Sequence, residues 1–213
     1  MEYKRIAVLA SGRGSNLQSV IDGIESGYIN NAKIMTVISD NREAFALERA
    51  RAKGIEGLWL NPGDFASYED YNNSIIEKLE NLHIDLVVLA GYMKILSKGF
   101  VQTFQNRIIN IHPSLIPSFC GVGYYGEKVH RAVLEYGVKI TGATVHFVDE
   151  GADTGPIILQ EAVKVYQDDT VGSLAKRVLE VEHRLLPEAV RLFCNEMLCI
   201  DGRRVYIKDG GAL

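Results

Sequence analysis

Several things are scarce in this 213-residue chain, and each scarcity excludes a class of protein. Only 5 residues are proline, and no stretch is of low complexity. A collagenous, polyproline or linker-dominated chain is therefore ruled out. Cysteine occurs three times, at Cys120, Cys194 and Cys199. That odd number, at no metal-ligand spacing, excludes a disulfide framework and a zinc module, and it points to reduced thiols in a cytoplasmic setting. No apolar run approaches the ~18 residues that a membrane-spanning helix needs. The first eleven residues, MEYKRIAVLAS, hold only a short apolar run that leads straight into a loop. They read as a first strand, not a secretion signal. Basic blocks are missing as well: 23 Lys and Arg stand against 27 Asp and Glu, for a formal charge of −4. The electrostatic footprint of a nucleic-acid binder is absent, although a small phosphate pocket needs none.

What remains is an ordinary globular composition, 47% hydrophobic with 20 glycines, long enough for one large buried core. Strand and helix patterns alternate through the first half. Continuous apolar runs at Arg5 to Ala10, Lys33 to Ser39, Gly57 to Leu60, Asp85 to Ala90 and Arg107 to Ile111 predict strands. Helical spacing of Leu17, Val20, Ile21 and Ile24, then Ala44 to Lys53 and Tyr68 to Leu82, fills the gaps. Such alternation predicts a parallel sheet covered on both faces. The second half changes character. Ser114 to Gly126 is irregular, and a helix is predicted from about Glu127 to Tyr136. Strands at Thr144 to Val148 and Ile157 to Val165 are joined by a loop over 149–156. A long helix from Thr170 to Phe193 carries Val171, Leu174, Val178, Val181 and Leu185 on one stripe, with Pro187 as a candidate kink. Leu198 to Lys208 reads as a hairpin turning at Asp201-Gly202,. No internal repeat or linker divides the chain. A single domain over 1–213 is expected, with halves meeting at about Pro113.

Four constellations carry candidate chemistry. Gly12-Arg13-Gly14-Ser15-Asn16 follows a buried strand and opens a helix. Glycines allow close backbone approach, and the N–H groups of a helix start bind anions. The same loop could be a tight structural turn with Asn16 as helix cap, since the third glycine and the lysine of the nucleotide-binding fingerprints are missing. Asn110 and His112, in Asn-Ile-His-Pro-Ser-Leu, fall on one side of a buried strand at its C-terminal end, where α/β sheets place ligands. Asn offers a donor to a developing oxyanion and His a proton exchangeable near neutral pH. A strand-end cap is the alternative reading. Asp153, among Gly151, Thr154, Gly155 and Pro156, is either an Asx-type turn or a carboxylate aimed at His112 that raises its pKa. Glu182 lies between Val178 and Leu185 inside the apolar stripe, where an unpaired carboxylate is costly. It calls for a core arginine or for a ligand amine or hydroxyl. His83 sits at a helix end, and His130 and His146 have no second ligand at metal spacing. Asp168-Asp169 precedes the last long helix as a candidate cap. Cys120 lies in the irregular loop, within ten residues of His112.

Together these segments resemble the glycinamide ribonucleotide formyltransferase family of folate-dependent enzymes. The resemblance runs from Ile6 to about Phe193. Its carriers are ASGRGSN at 10–16, LERAR at 47–51, LAGYMKILS at 89–97, NIHPSLIP at 110–117, GATVHFVDEGADTGPIILQ at 142–160 and VLEVEH at 178–183. It implies a Rossmann-like, mostly parallel α/β sheet with helices on both faces, a nucleotide-binding half over 1–113, and a folate-site half over 114–213 that ends in the long helix and hairpin. It also implies transfer of a formyl group from 10-formyltetrahydrofolate to the amine of glycinamide ribonucleotide, in purine biosynthesis in the cytoplasm, with no metal. By resemblance, Gly14, Ser15 and Asn16 hold the substrate phosphate and Glu182 binds the ribonucleotide. Met93, Lys94, Ile95 and Leu96 lend backbone to the folate, with Lys94 at its mouth, and Asp149, Glu150, Gly151, Ala152 and Asp153 line its pocket. Asn110 binds the formyl oxygen, His112 is the catalytic acid, and Asp153 keeps it protonated.

The chain departs from the family pattern at Tyr68, where an Arg is common, at Leu179, where a Gln is common, at Cys120, where a Pro is common, and over 121–128. Rival readings are a formyl-folate hydrolase, a formyltransferase of initiator tRNA, and a non-catalytic nucleotide-binding module. The first two are expected to need an added N-terminal or C-terminal domain. The third would not need Asn110, His112 and Asp153 together. Small molecules are the expected partners, with neither nucleic acid nor membrane among them. The sequence leaves monomer and homodimer both open.

Overall fold

The computed structural model describes residues 3–208. Met1 and Glu2 of the expected first-strand segment, and residues 209–213 of the expected domain, lie outside them. The chain divides into two compact units, Met1–Ile109 and Asn110–Leu213.

In the first unit the strands are β1 (Lys4–Leu9), β2 (Ala32–Ser39), β3 (Glu56–Trp59), β4 (Leu86–Leu89) and the start of β5 (Ile108–His112), in the order β3-β2-β1-β4-β5. The pairs β1–β2, β1–β4 and β2–β3 are all parallel. All four residues of β4 are buried, as a strand covered on both faces must be. The helices are α1 (Ser15–Glu25), α2 (Phe45–Ala52), α3 (Tyr68–Asn81) and α4 (Lys98–Thr103). Ser67 and Ser97 set the starts of α3 and α4, each side-chain oxygen accepting from a backbone N–H three residues on,. Sequence periodicity did not predict α4, because six residues are too few to show a helical repeat. Its only signal was the Ser97 cap.

The second unit holds α5 (Glu127–Tyr136), β6 (Ile140–Phe147), β7 (Ile157–Lys164), α6 (Val171–Cys194), β8 (Leu198–Asp201) and β9 (Arg204–Ile207). Its strands run β6-β7-β9-β8. β6 and β7 are antiparallel, because the loop between them is too short for a parallel crossover. β6 starts four residues earlier than predicted. Gly142 lies within the added stretch, where a Cβ would lie 2.1 Å from the Glu161 carbonyl oxygen,. α6 is opened by a reciprocal Thr170–Ser173 cap and is continuous through Pro187. It packs its stripe of Leu174, Val178, Val181, Leu185 and Leu186 against β6, β7 and α5. Among the described residues no helix is long and apolar enough to cross a membrane.

Candidate active site

In the first unit the glycine loop is built around Gly14. Its φ is +68°, and a Cβ would lie 2.8 Å from both Cα and Cβ of Ala46. Only glycine combines that left-handed turn with that approach. The Ala46 N–H donates to Gly12 O at 3.1 Å, tying the loop to the start of α2. Gly14 itself occupies the cap position of α1, and no side chain caps the helix. The reading of Asn16 as helix cap is therefore corrected: Asn16 is the second helical residue, and it is buried. The positive end of α1 is thus not engaged by a side-chain cap,.

The adjacent segment 91–97 is pinned at several points. Met93 N–H donates to Ser11 Oγ at 2.9 Å, Tyr68 O–H to Ile95 O at 2.8 Å, and Ser97 N–H to Asn72 Oδ1 at 3.0 Å. Met93 and Ile95 project outward, while Leu96 is buried. Lys94 Nζ lies 3.9 Å from the half-buried Asp40 carboxylate. Burial raises the Tyr68 pKa and pushes Tyr71 up to about 12. Both phenols are thus neutral hydrogen-bonding groups.

The second unit brings Asn110, His112 and Asp153 together. Asn110 and His112 are two residues apart on β5, as strand alternation requires. Asp153 reaches them from the β6–β7 loop. Its φ is +57°, a left-handed turn that Asp tolerates. The loop is set by Asp149, whose carboxylate accepts from Gly151 N and Thr154 Oγ1. It is also set by Gly155, where a Cβ would meet the Phe147 carbonyl at 1.8 Å. Asp153 Oδ2 accepts from Gly121 N–H at 2.8 Å and lies 3.5 Å from His112 Nδ1. Asp153 Oδ1 accepts from Asn110 Nδ2 at 3.4 Å.

A fourth residue joins them. His146, on β6 and almost wholly buried, places Nε2 3.1 Å from Asn110 Nδ2 and 3.6 Å from Asp153 Oδ1. Sequence reasoning set it aside for want of a metal partner. The signal was present in Thr-Val-His-Phe, a histidine inside an otherwise apolar strand. Glu182 is buried on α6 as its place in the stripe predicted, on a different element from this cluster.

The electrostatics correct one expectation. Burial, the largest influence on His112, lowers its pKa. Asp153 and the Phe119 carbonyl pull it upward, and His146 lowers it further; the net shift is downward. Asp153 therefore does not hold His112 protonated at neutral pH. Its Nε2 faces Phe119 O at 2.9 Å, and a carbonyl only accepts. The neutral ring thus carries its hydrogen on Nε2 and presents a bare Nδ1 to Asp153. Burial raises the Asp153 pKa, but positive charge gained by His146 or His112 on protonation and the bond from Gly121 N–H pull it down, and the net shift is downward. Among the described residues no group of three His, Cys, Asp or Glu is placed to hold a metal ion.

Residues 4–190 match the model of the formyl transferase family. The phosphoribosylglycinamide formyltransferase of Haemophilus influenzae is 39% identical over 210 residues, covering 99% of this chain and 96% of that protein. This chain belongs to the phosphoribosylglycinamide formyltransferase family. The crystal structure of glycinamide ribonucleotide transformylase 1 from Symbiobacterium toebii superimposes with a TM-score of 0.92 at 47% identity, over 97% of this chain and 95% of that one. The trifunctional purine biosynthetic protein adenosine-3 of Drosophila melanogaster is 44% identical over 193 residues, 90% of this chain. The chain spans 14% of the length of that relative.

Against this phosphoribosylglycinamide formyltransferase background, two departures have structural content. Tyr68 is no stand-in for a cation, since its hydroxyl is engaged with the segment 91–97. Cys120 donates its S–H to Pro117 O at 3.3 Å, and burial together with Asp153 raises its pKa. It lacks the lowered pKa of a nucleophilic thiol.

Proposed function

We propose that this chain transfers the formyl group of 10-formyltetrahydrofolate to the amine of glycinamide ribonucleotide. The products are formylglycinamide ribonucleotide and tetrahydrofolate, made in the cytoplasm as a step of purine biosynthesis. The observation that carries the reading is the convergence of an amide donor, a neutral imidazole and a carboxylate at the end of one buried strand.

Bound 10-formyltetrahydrofolate supplies a formyl group already activated for acyl transfer. Asn110 donates an N–H to the formyl oxygen as negative charge develops there; one such preorganised donor is worth about 10²–10³-fold in rate. His112 starts neutral and accepts at Nδ1 the proton that the attacking amine must lose. Asp153 stabilises the imidazolium so formed. His112 then returns the proton to the departing folate nitrogen as the new carbon–nitrogen bond replaces the old one. The amine is itself the nucleophile, so no covalent formyl-enzyme is required.

Gly14, Ser15 and Asn16 are assigned to the substrate phosphate, in keeping with an uncapped helix start, and Glu182 to the ribonucleotide. Met93, Lys94, Ile95 and Leu96, and separately Asp149, Glu150, Gly151, Ala152 and Asp153, are assigned to the folate. The donor set fits that group: pinned main chain and apolar side chains in one segment, a polar turn in the other.

The test is formyl transfer by the purified chain, measured with and without glycinamide ribonucleotide. Folate deformylation that depends on the ribonucleotide and yields its formyl product is expected. Equal folate cleavage in its absence would make the chain a hydrolase instead.

A further inference from the structure

The cluster contains one group the proposed reaction does not use, the imidazole of His146. Its Nδ1 lies 2.7 Å from the carbonyl of Phe147. That carbonyl can only accept, so Nδ1 carries the hydrogen, and Nε2 of the neutral ring is an acceptor. The acceptor faces Asn110 Nδ2 at 3.1 Å. The amide of Asn110 has two N–H hydrogens. One goes to His146, and the other spans 3.4 Å to Asp153 Oδ1, at the long end of hydrogen bonding.

The two bonds are unequal, and the inequality is informative. An asparagine amide can turn over, exchanging its oxygen for its nitrogen. Turned over, Asn110 would set its oxygen against two acceptors, the bare Nε2 of His146 and the Asp153 carboxylate. The carboxylate contact is loose enough to be given up to another acceptor. The His146 bond is the shorter, and the imidazole that makes it is buried. It rests on a strand backbone through Phe147, whose N–H is itself bonded to Pro156 O at 2.9 Å.

We propose that His146 is a positioning residue. It fixes Asn110 with its amide nitrogen inward, so that the N–H now resting on Asp153 is available to the formyl oxygen. The inference rests on the reading of Asn110 as the oxyanion donor. Without His146 the amide is free to present its oxygen, which repels developing negative charge.

The test is a double-mutant cycle on transfer kinetics with His146→Leu, Asn110→Ala and the double variant, together with His146→Gln, whose amide oxygen can accept in place of Nε2. His146→Leu is expected to lower kcat by about tenfold to a hundredfold, part of what loss of a donor costs, with KM for both substrates within about threefold. In the Asn110→Ala background the same change is expected to cost less than about twofold, because the group through which it acts is gone. His146→Gln is expected to recover most of the loss. Thermal melting of each variant checks folding. A full His146→Leu loss that persists in the Asn110→Ala background, or an unchanged kcat, would overturn the inference while leaving the donor reading intact. An Asn110→Ala variant as active as the parent would overturn both.

Discussion

Two aspartates of the second unit show how differently one fold can use the same side chain. Asp169 is saturated. Arg177 grips both oxygens at 2.8 and 2.9 Å, Tyr166 N–H donates at 2.8 Å, and Ser173 Oγ donates at 2.7 Å. The Arg177 bond, aided by Tyr166 and Ser173, holds its pKa well below the usual carboxylate range. Asp153 has one short bond, from Gly121 N–H at 2.8 Å. Its approaches to Asn110, His112 and His146 are all between 3.4 and 3.6 Å. A carboxylate whose lone pairs are filled by a bidentate guanidinium stabilises a helix start and little else. One held loosely between two imidazoles and an amide can trade partners as protons move.

The largest expected effect tests that contrast at the loose acid. Asp153→Asn keeps the shape and removes the charge that offsets burial of His112. A fall in kcat of about 10²–10⁴-fold is expected, with little change in melting temperature. A loss below threefold would deny Asp153 a part in the chemistry.

Acid titration sharpens the comparison among histidines. Burial pushes His130 down to about 4, against the pull of Glu127 and with a further lowering from His112. Its Nδ1 has no hydrogen-bond partner among the described residues. A folded pKa below the unfolded value of about 6.5 means that the unfolded chain takes up the proton first. This stability is therefore whole above pH 6.5 and is lost as pH falls toward 4. The shift from 6.5 to about 4 amounts to about 3 kcal/mol at 1.36 kcal/mol per unit. Denaturant midpoints at pH 7 and pH 4.5 should separate the parent from His130→Gln, which lacks this slope. Parallel pH dependence in the two would show that His130 is not buried neutral.

The smallest effect belongs to the saturated acid. Asp169→Asn should leave kcat within about twofold and cost about 1 kcal/mol, the upper range for a partly exposed ion pair, read from the same denaturant curves. Its stabilising contribution is present above the unfolded carboxylate pKa and fades as pH falls through the lowered folded value. If Asp169→Asn were as inactive as Asp153→Asn, the distinction between a structural and a functional carboxylate would collapse.

Much of the fold was legible because it rests on short-range patterns. Continuous apolar runs marked the parallel strands of the first unit. Glu127 to Tyr136 was predicted at the residues where α5 lies. The stripe on α6 exposed Glu182 as a polar intruder, and it is buried there. Alternation on β5 was enough to put Asn110 and His112 on one side. Where sequence reasoning fell short, the deciding contact was distant in the chain. The first four residues of β6 were not predicted, and only the Glu161 carbonyl beside Gly142 shows why a Cβ is excluded within that stretch. His146 looked inert until Asn110, 36 residues away, was found on its Nε2.

The charge state of His112 shows where that boundary falls. Its presence at the end of a buried strand, with an asparagine two residues before it, was determined by residue order alone, because strand geometry alternates side chains without help from the rest of the molecule. Its protonation was not. The carboxylate in the later loop suggested a charged imidazole, but proton affinity sums burial, the Phe119 carbonyl, Asp153 and His146, all brought together by folding. In that sum desolvation outweighs the nearby charge, and only the tertiary structure holds the distances and the burial that decide it.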